Sequence, residues 1–435
     1  MSPAHSRRYR KTVFSNGLTL ISERQPFRSL SLGIWVKTGT RYERVQEAGV
    51  SHFLEHMLFK GTDTRSPLDI AREVDQVGGD FNAFTAREYT CFHILLLNRD
   101  LELGLDILSD VVLNSSFEAS EMERERKVIL QEISMVEESP EELVHDLFFE
   151  RIYGRHGLGR PILGSERSIR RMRRADLLRF FRKHYCPERI VISVAGDVSH
   201  EAIRRRIRGL IRGTWPGRPA RRQSRGELGY EPAPSLKEGR WWMVRPLEQV
   251  HLVWGVEGPH YGSRDWYPAL LLNVLLGGGM SSSLFQEIRE KHGLAYSVYS
   301  SLSPFLDSGV FTIYAGTSLP QVPLCLRLME ESVEKMGKSL LPENELKTVK
   351  DNLKGTVLLS SDSAESRMFS IARNEIFEGK HLRVEDLCRE IDQVTPQDVR
   401  RVARRLIKAK RSTLFLGPKP SRQLLSKLRP VTVIR

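Results

Sequence analysis

Apolar and polar positions along the chain form short runs that alternate with period two and longer runs with period near 3.6, and the order of these runs occurs twice. In the first half, residues 13–22 and 30–37 read as strands, and an apolar helix follows at about 49–59. A second helix at 67–77 is closed by Gly78-Gly79, a helix-stop signal. Residues 80–87 and 89–97 alternate as strands, and 101–113 is amphipathic and helical. The second half repeats the order with a strand at 250–256, helices at 268–276 and 282–291, strands at 295–302 and 309–316, and a helix at 322–336. A long helix at 118–136 has its counterpart at 343–360, and a late strand at 190–195 has one at 412–416. Strands that follow one another directly predict a mainly antiparallel sheet with helices packed on one face, an α+β layer. The repeat predicts two such homologous domains, 1–215 and 238–435. They are separated by a linker at 216–237 whose first part, PGRPARRQSRGELGYEPAP, is rich in Pro, Gly and Arg.

The length, 435 residues, exceeds one ordinary core and agrees with two domains. Apolar residues at 40% and charged residues at 28% describe a chain that folds rather than a disordered one. No apolar run approaches the roughly 20 residues of a membrane span; the best candidate, 269–280, is interrupted by Asn273 and three glycines. Four scattered cysteines without a CxxC pair exclude a disulfide scaffold and a cysteine zinc ribbon, and fit a reducing compartment. The opening MSPAHSRRYRKTVFSNGLTL is charged but has no apolar segment, which argues against a secretory signal. A bacterial cytoplasm is the expected location, with the mitochondrial matrix as the alternative. The net charge of +13 raises nucleic acid as a partner. The most basic stretch, RSIRRMRRADLLRFFRK at 167–183, would turn its apolar residues inward on a helix and its arginines to water. No stacking platform accompanies it, and no nucleic-acid partner is expected.

The two halves differ where chemistry is possible. His52, Glu55 and His56 form H-x-x-E-H within the apolar segment, where the second half has the apolar stretch 271–276 with a single Asn273. Residues four apart share a helix face, so both imidazoles point one way and can hold one metal ion, with zinc favoured by the ligand types. Glu55 stands beside that position, within reach of a metal-bound water as general base. Two buried histidines bonded to carbonyls would be the bland reading, but it leaves Glu55 on an apolar helix without a purpose. Catalytic zinc takes a third protein ligand. Nine glutamates lie between Glu118 and Glu142, and Glu132 is the one set inside an apolar stripe. Glu125, two turns earlier on the same face, is placed to orient a ligand from behind.

With these residues in hand, the chain resembles the pitrilysin/insulinase-type inverzincin zinc peptidases, closest to bacterial members similar to the mitochondrial processing peptidase. The resemblance spans nearly the whole chain and centres on HFLEHMLFKGT from His52 to Thr62, with Gly39 and Gly49 before it. It implies the processing-peptidase-like metallohydrolase fold, one Zn2+ per chain, and Glu132 as third ligand. GGDFNAFT from Gly78 resembles the edge strand to which substrate peptides add, so the resemblance makes Asn82, Ala83, Phe84 and Thr85 substrate-binding. GGGMSSSLFQEIREKHGLAY from Gly277 resembles the glycine-rich stretch and the Arg/Tyr pair of the family, which implies that Arg289 and Tyr296 bond the substrate or the tetrahedral intermediate. Ser283 departs from an arginine common there. Because one chain carries both the metal set and the glycine-rich set, the resemblance implies a homodimer in which Arg289 and Tyr296 act in trans.

The expectation is therefore a zinc metalloendopeptidase for peptides or unfolded, presequence-like segments, enclosed in a dimer chamber, with Glu55 as base. The alternative is a non-catalytic assembly subunit of the same fold, against which the intact ligand set argues.

Overall fold

The Asn16 side chain accepts the Leu18 backbone N–H at 3.2 Å and folds the expected single strand at 13–22 into the end of β1 (Tyr9–Val13), a turn, and β2 (Thr19–Arg24). The structure is a computed structural model that describes residues 8–213, 231–428 and 430–434. The amino-terminal seven residues and most of the expected linker lie outside the described residues. After β2 come β3 (Ser29–Val36), α1 (Val50–Leu58), α2 (Pro67–Gln76), β4 (Asp80–Thr85), β5 (Thr90–Leu97), α3 (Leu101–Leu113), α4 (Ala119–Glu138) and α5 (Pro140–Tyr153). The basic stretch at 167–183 is not one helix. Met172 is extended and splits it into α6 (Glu166–Arg171) and α7 (Arg174–His184), and each half has its own cap, the Ser165 hydroxyl for α6 and the Asp176 carboxylate for α7. β6 (Ile190–Gly196) and α8 (His200–Gly213) follow.

The second series runs β7 (Gly239–Val244), β8 (Val250–Glu257), α9 (Trp266–Gly277), a π-helical turn at Phe285–Lys291, β9 (Ala295–Pro304), β10 (Gly309–Thr317), α10 (Val322–Lys338), α11 (Glu343–Ser360), α12 (Ala364–Glu378), α13 (Val384–Gln393), α14 (Pro396–Lys408), β11 (Ser412–Gly417), α15 (Arg422–Lys427) and β12 (Thr432–Ile434). The π-winding falls where the sequence predicts an α-helix, because side-chain period alone does not separate the two. Two six-stranded sheets result, in the orders β1-β2-β6-β3-β5-β4 and β12-β7-β11-β8-β10-β9. Most neighbours are antiparallel, while β2 and β6 run parallel, as do β7 and β11, and β7 and β12. From β2 to β4 the first sheet has the same order as the second has from β7 to β9, which is the duplication read from the hydrophobic pattern.

The chain divides into two compact units that do not follow the linker alone. The described residues of Met1–Ser134, Arg160–Glu231 and Ser360–Leu382 form one, and Met135–Gly159, Pro232–Leu359 and Arg383–Arg435 the other. The cause is that a sheet has two faces to bury. In the first unit Leu30, Leu32, Ile34 and Val36 of β3 enter the core shared with α1 and α3. Trp35, Ile21, Val191 and Ala195 on the opposite face are covered by Met368, Ile371 and Ala372 of α12. Gly33 permits this approach, since a Cβ there would meet the Met368 sulfur at 2.6 Å. Two ion pairs fasten α12: Arg367 bonds both oxygens of Glu23 at 3.1 and 2.6 Å, and Lys11 meets Glu375 at 2.5 Å. In the second unit α5 does the same work, packing Val144, Phe148 and Ile152 against Val253, Leu414 and Leu416. Helices therefore occupy both faces of each sheet, and each of these two helices comes from the half of the sequence whose sheet it does not cover. Each large apolar side chain so buried contributes roughly 1.5–3 kcal/mol.

His184, at the end of α7, is buried and stacks on Phe180 with ring centroids 4.1 Å apart, and its Nδ1 accepts from Arg189 at 3.0 Å. Burial, reinforced by the Arg189 charge, pushes its pKa down to about 3 from 6.5. The folded state thus binds fewer protons than the unfolded one below about pH 6.5, so this contribution to stability is complete above that pH and is lost as pH falls toward about 3. Urea denaturation from about pH 8 to about pH 4 is expected to show this decline. Its slope should flatten in His184→Gln, which keeps an acceptor for Arg189 without the titrating ring.

Candidate metal centre

α1 is shaped by a division between its faces. Val50, Phe53, Leu54, Met57 and Leu58 are buried in the core, so the helix has one orientation, and His52, Glu55 and His56 share the opposite face. Its start is anchored. Gly49 adopts φ +88°, a left-handed conformation that suits glycine, and a Cβ there would lie 2.7 Å from the Leu163 carbonyl oxygen. The buried Glu43 carboxylate accepts the N–H groups of Gly49 and Ser51, both at 2.9 Å, and so satisfies donors the helix start leaves open.

α4 brings Glu132 opposite this face. Its Oε2 lies 3.6 Å from His52 Nε2 and 3.5 Å from His56 Nε2, and one donor atom from each residue lies within 4.8 Å of the others. These separations are long for hydrogen bonds. They match the roughly 3.4 Å between ligand atoms that tetrahedral bonds of about 2.0–2.1 Å to zinc would set. Two imidazole nitrogens and a carboxylate converging on one point therefore fit a zinc ion. The support behind the ligands fits as well. Glu125, buried on α4, accepts His56 Nδ1–H at 2.9 Å, which leaves the Nε2 lone pair facing the centre, and Lys60 pairs with the other Glu125 oxygen at 2.8 Å.

The electrostatics differ from group to group. Burial, with the neighbouring His56 second, pushes His52 down to about 4, so its ring is neutral near pH 7 and free to coordinate. Burial also works against a charged His56, but the Glu132 and Glu125 carboxylates outweigh it and raise its pKa. Glu132 is lowered, chiefly by the neighbouring His56 imidazole. Glu55 is raised by its burial, against which the Thr85 hydroxyl works.

β4 is the outer strand of its sheet. Its odd residues Phe81, Ala83 and Thr85 face the side of α1, where Phe81 meets Phe59 with centroids 4.6 Å apart, and its even residues face α12, where Phe84 meets Phe369 at 5.8 Å. The expected substrate residues Asn82, Ala83, Phe84 and Thr85 thus lie on an edge strand that passes the metal-binding face. Thr85 does more than line it: Oγ1 donates to Glu55 Oε2 at 2.5 Å. Arg289 and Tyr296 belong to the second unit and are brought together there. The guanidinium lies 4.7 Å from the Tyr296 ring centroid and donates to its carbonyl oxygen at 3.0 Å, while the Tyr296 side chain stands exposed. Glu43 and Lys60 are not among the residues expected from the sequence. Lys60 sits inside the HFLEHMLFKGT stretch, four residues after His56, and that spacing was the available signal.

Residues 19–166 match the family described as Insulinase (Peptidase family M16), and residues 171–353 match the description Peptidase M16 inactive domain. The chain belongs to the M16 peptidase family. An uncharacterized zinc protease of Mycobacterium tuberculosis is 39% identical over 429 residues, covering 97% of this chain and 96% of that protein. One from Bacillus subtilis is 36% identical over 404 residues, covering 93% and 97%. Among solved structures, a protease from Helicobacter pylori superposes with a TM-score of 0.88 at 22% identity, covering 94% of this chain and 99% of that one. The M16 fold of two homologous units, each a mixed sheet packed with helices, is thereby common to both. The half matched as inactive is the one whose α9 has apolar residues in the place of His52, Glu55 and His56 of α1. Among the described residues, no helix is long and apolar enough to cross a membrane.

Removing the support behind His56 should weaken the site without unfolding it. Glu125→Gln is expected to lower zinc affinity by about 10–100-fold, read by competition with a fluorescent chelator, with the circular dichroism spectrum unchanged.

Proposed function

We propose that this M16 chain is a zinc endopeptidase that cuts peptides and unfolded, presequence-like segments in extended form. The observation that carries the reading is the half-buried Glu55 carboxylate held beside three converging donors, His52, His56 and Glu132, along an open strand edge. The M16 relatives named zinc proteases support it.

One zinc per chain, bound by His52, His56 and Glu132, would polarise the scissile carbonyl and acidify a water. Glu55 takes the proton of the attacking water and delivers it to the leaving amine, so that the amide nitrogen departs neutral. The substrate joins β4 as a further strand: the backbone of the odd residues, Thr85 among them, supplies hydrogen bonds and the side chains of Asn82, Ala83 and Phe84 line the alternating subsites. Arg289 and Tyr296 stabilise the substrate carbonyl from a partner copy. That reading makes the working form a homodimer whose enclosed chamber excludes folded proteins. Its support is that one chain carries both residue sets, with the Arg289–Tyr296 pair already assembled and exposed. The bacterial relatives support a cytoplasmic setting.

The test is metal content and cleavage of a quenched, unstructured peptide library for wild type and Glu55→Gln. The expected result is one zinc per chain in both and a loss of cleavage of about 10²–10⁴-fold in the variant. Zinc without cleavage in the wild type would favour a non-catalytic assembly subunit, and no zinc would overturn the assignment.

A further inference from the structure

We infer that Thr85 is a positioning residue that couples docking of the substrate strand on β4 to the orientation of Glu55. The inference rests on the peptidase reading above and adds to it how the base is held and what aligns it. The hydrogen bond from Thr85 Oγ1 to Glu55 Oε2, at 2.5 Å, joins two half-buried groups 30 residues apart in sequence. It occupies one carboxylate oxygen, Oε2, and leaves Oε1 for the proton transfer that a base performs.

The same residue meets the substrate. The Ala86 N–H donates to the Tyr89 carbonyl at 2.8 Å, and this sets the parity of the β4–β5 ladder. Even residues of β4 exchange hydrogen bonds with β5, so the backbone groups of Phe81, Ala83 and Thr85 point to the open edge. At that edge the Asn82 side chain accepts the Ala83 N–H at 2.8 Å. An unpaired edge donor invites non-specific pairing, and this local bond blunts it until a substrate carbonyl takes its place. Thr85 stands at the end of this edge with its backbone outward and its hydroxyl on the base. Threonine is branched at Cβ and stiff about χ1, so its hydroxyl follows its backbone closely. A strand that orders the β4 edge therefore also orders Thr85 Oγ1, and with it Glu55.

The test compares wild type, Thr85→Val and Thr85→Ser as full-length zinc-loaded chains on one quenched peptide. Val preserves shape and removes the donor. It is expected to lower kcat by about 10–100-fold with KM changed by less than about twofold and zinc content unchanged, and Ser is expected to recover most of the loss. A second readout needs no turnover: in crystals of metal-free Thr85→Val the Glu55 carboxylate should leave its wild-type position, while the metal-free protein should bind an uncleaved peptide as wild type does. Wild type that cleaves while Thr85→Val keeps its kcat, or shows only a raised KM, would overturn the coupling and leave the peptidase reading standing. Wild type that holds zinc and cleaves nothing would overturn the peptidase reading, and the coupling with it.

Discussion

The site depends on one constraint: α1 must bury one face completely while its other face holds three ionisable groups. The burial of Phe53, Leu54, Met57 and Leu58 leaves the helix no freedom to rotate, so packing fixes the face on which His52, Glu55 and His56 stand. Glu43 holds the start of the helix, and Glu125 with Lys60 holds the last imidazole. A site that must keep ligand atoms about 3.4 Å apart tolerates little error, and a helix set rigidly in a core supplies that accuracy better than a loop would.

The second consequence concerns where helices come from. Duplication produced two sheets with two apolar faces each, and a contiguous half of the chain covers one face of its own sheet. The other face is closed by a helix exchanged between halves, α12 on the first sheet and α5 on the second. α4, which carries Glu132, continues after Ser139 into α5. The α12 side of the first sheet also backs β4, where Phe369 meets Phe84. The edge strand beside α1 is thus backed by a helix from the other half of the sequence.

Much of this was legible in the sequence. The period-two and period-3.6 runs located the strands and helices of both copies because burial of one face leaves its spacing in the chain. The i, i+3, i+4 placement of His52, Glu55 and His56 needed only helix geometry, and Glu132 was marked by a carboxylate inside an apolar stripe. The split of the basic stretch at Met172 and the π-winding before β9 were not legible, since local caps decide the first and side-chain period does not separate π from α in the second.

What the sequence determined by itself were the elements, their duplication and the residue types able to hold zinc, because each is a matter of local spacing. What only the tertiary structure decided were the pairings between distant positions. Sheet order brings the Thr85 hydroxyl to Glu55, helix packing sets the distances from Glu132 to the two imidazoles, and the exchange of α5 and α12 decides which half of the chain completes each core. The physical reason is the same in all three. Spacing along a strand or helix shows which face a residue occupies, but which other face it meets is settled by the burial of whole surfaces, and no local pattern records that choice.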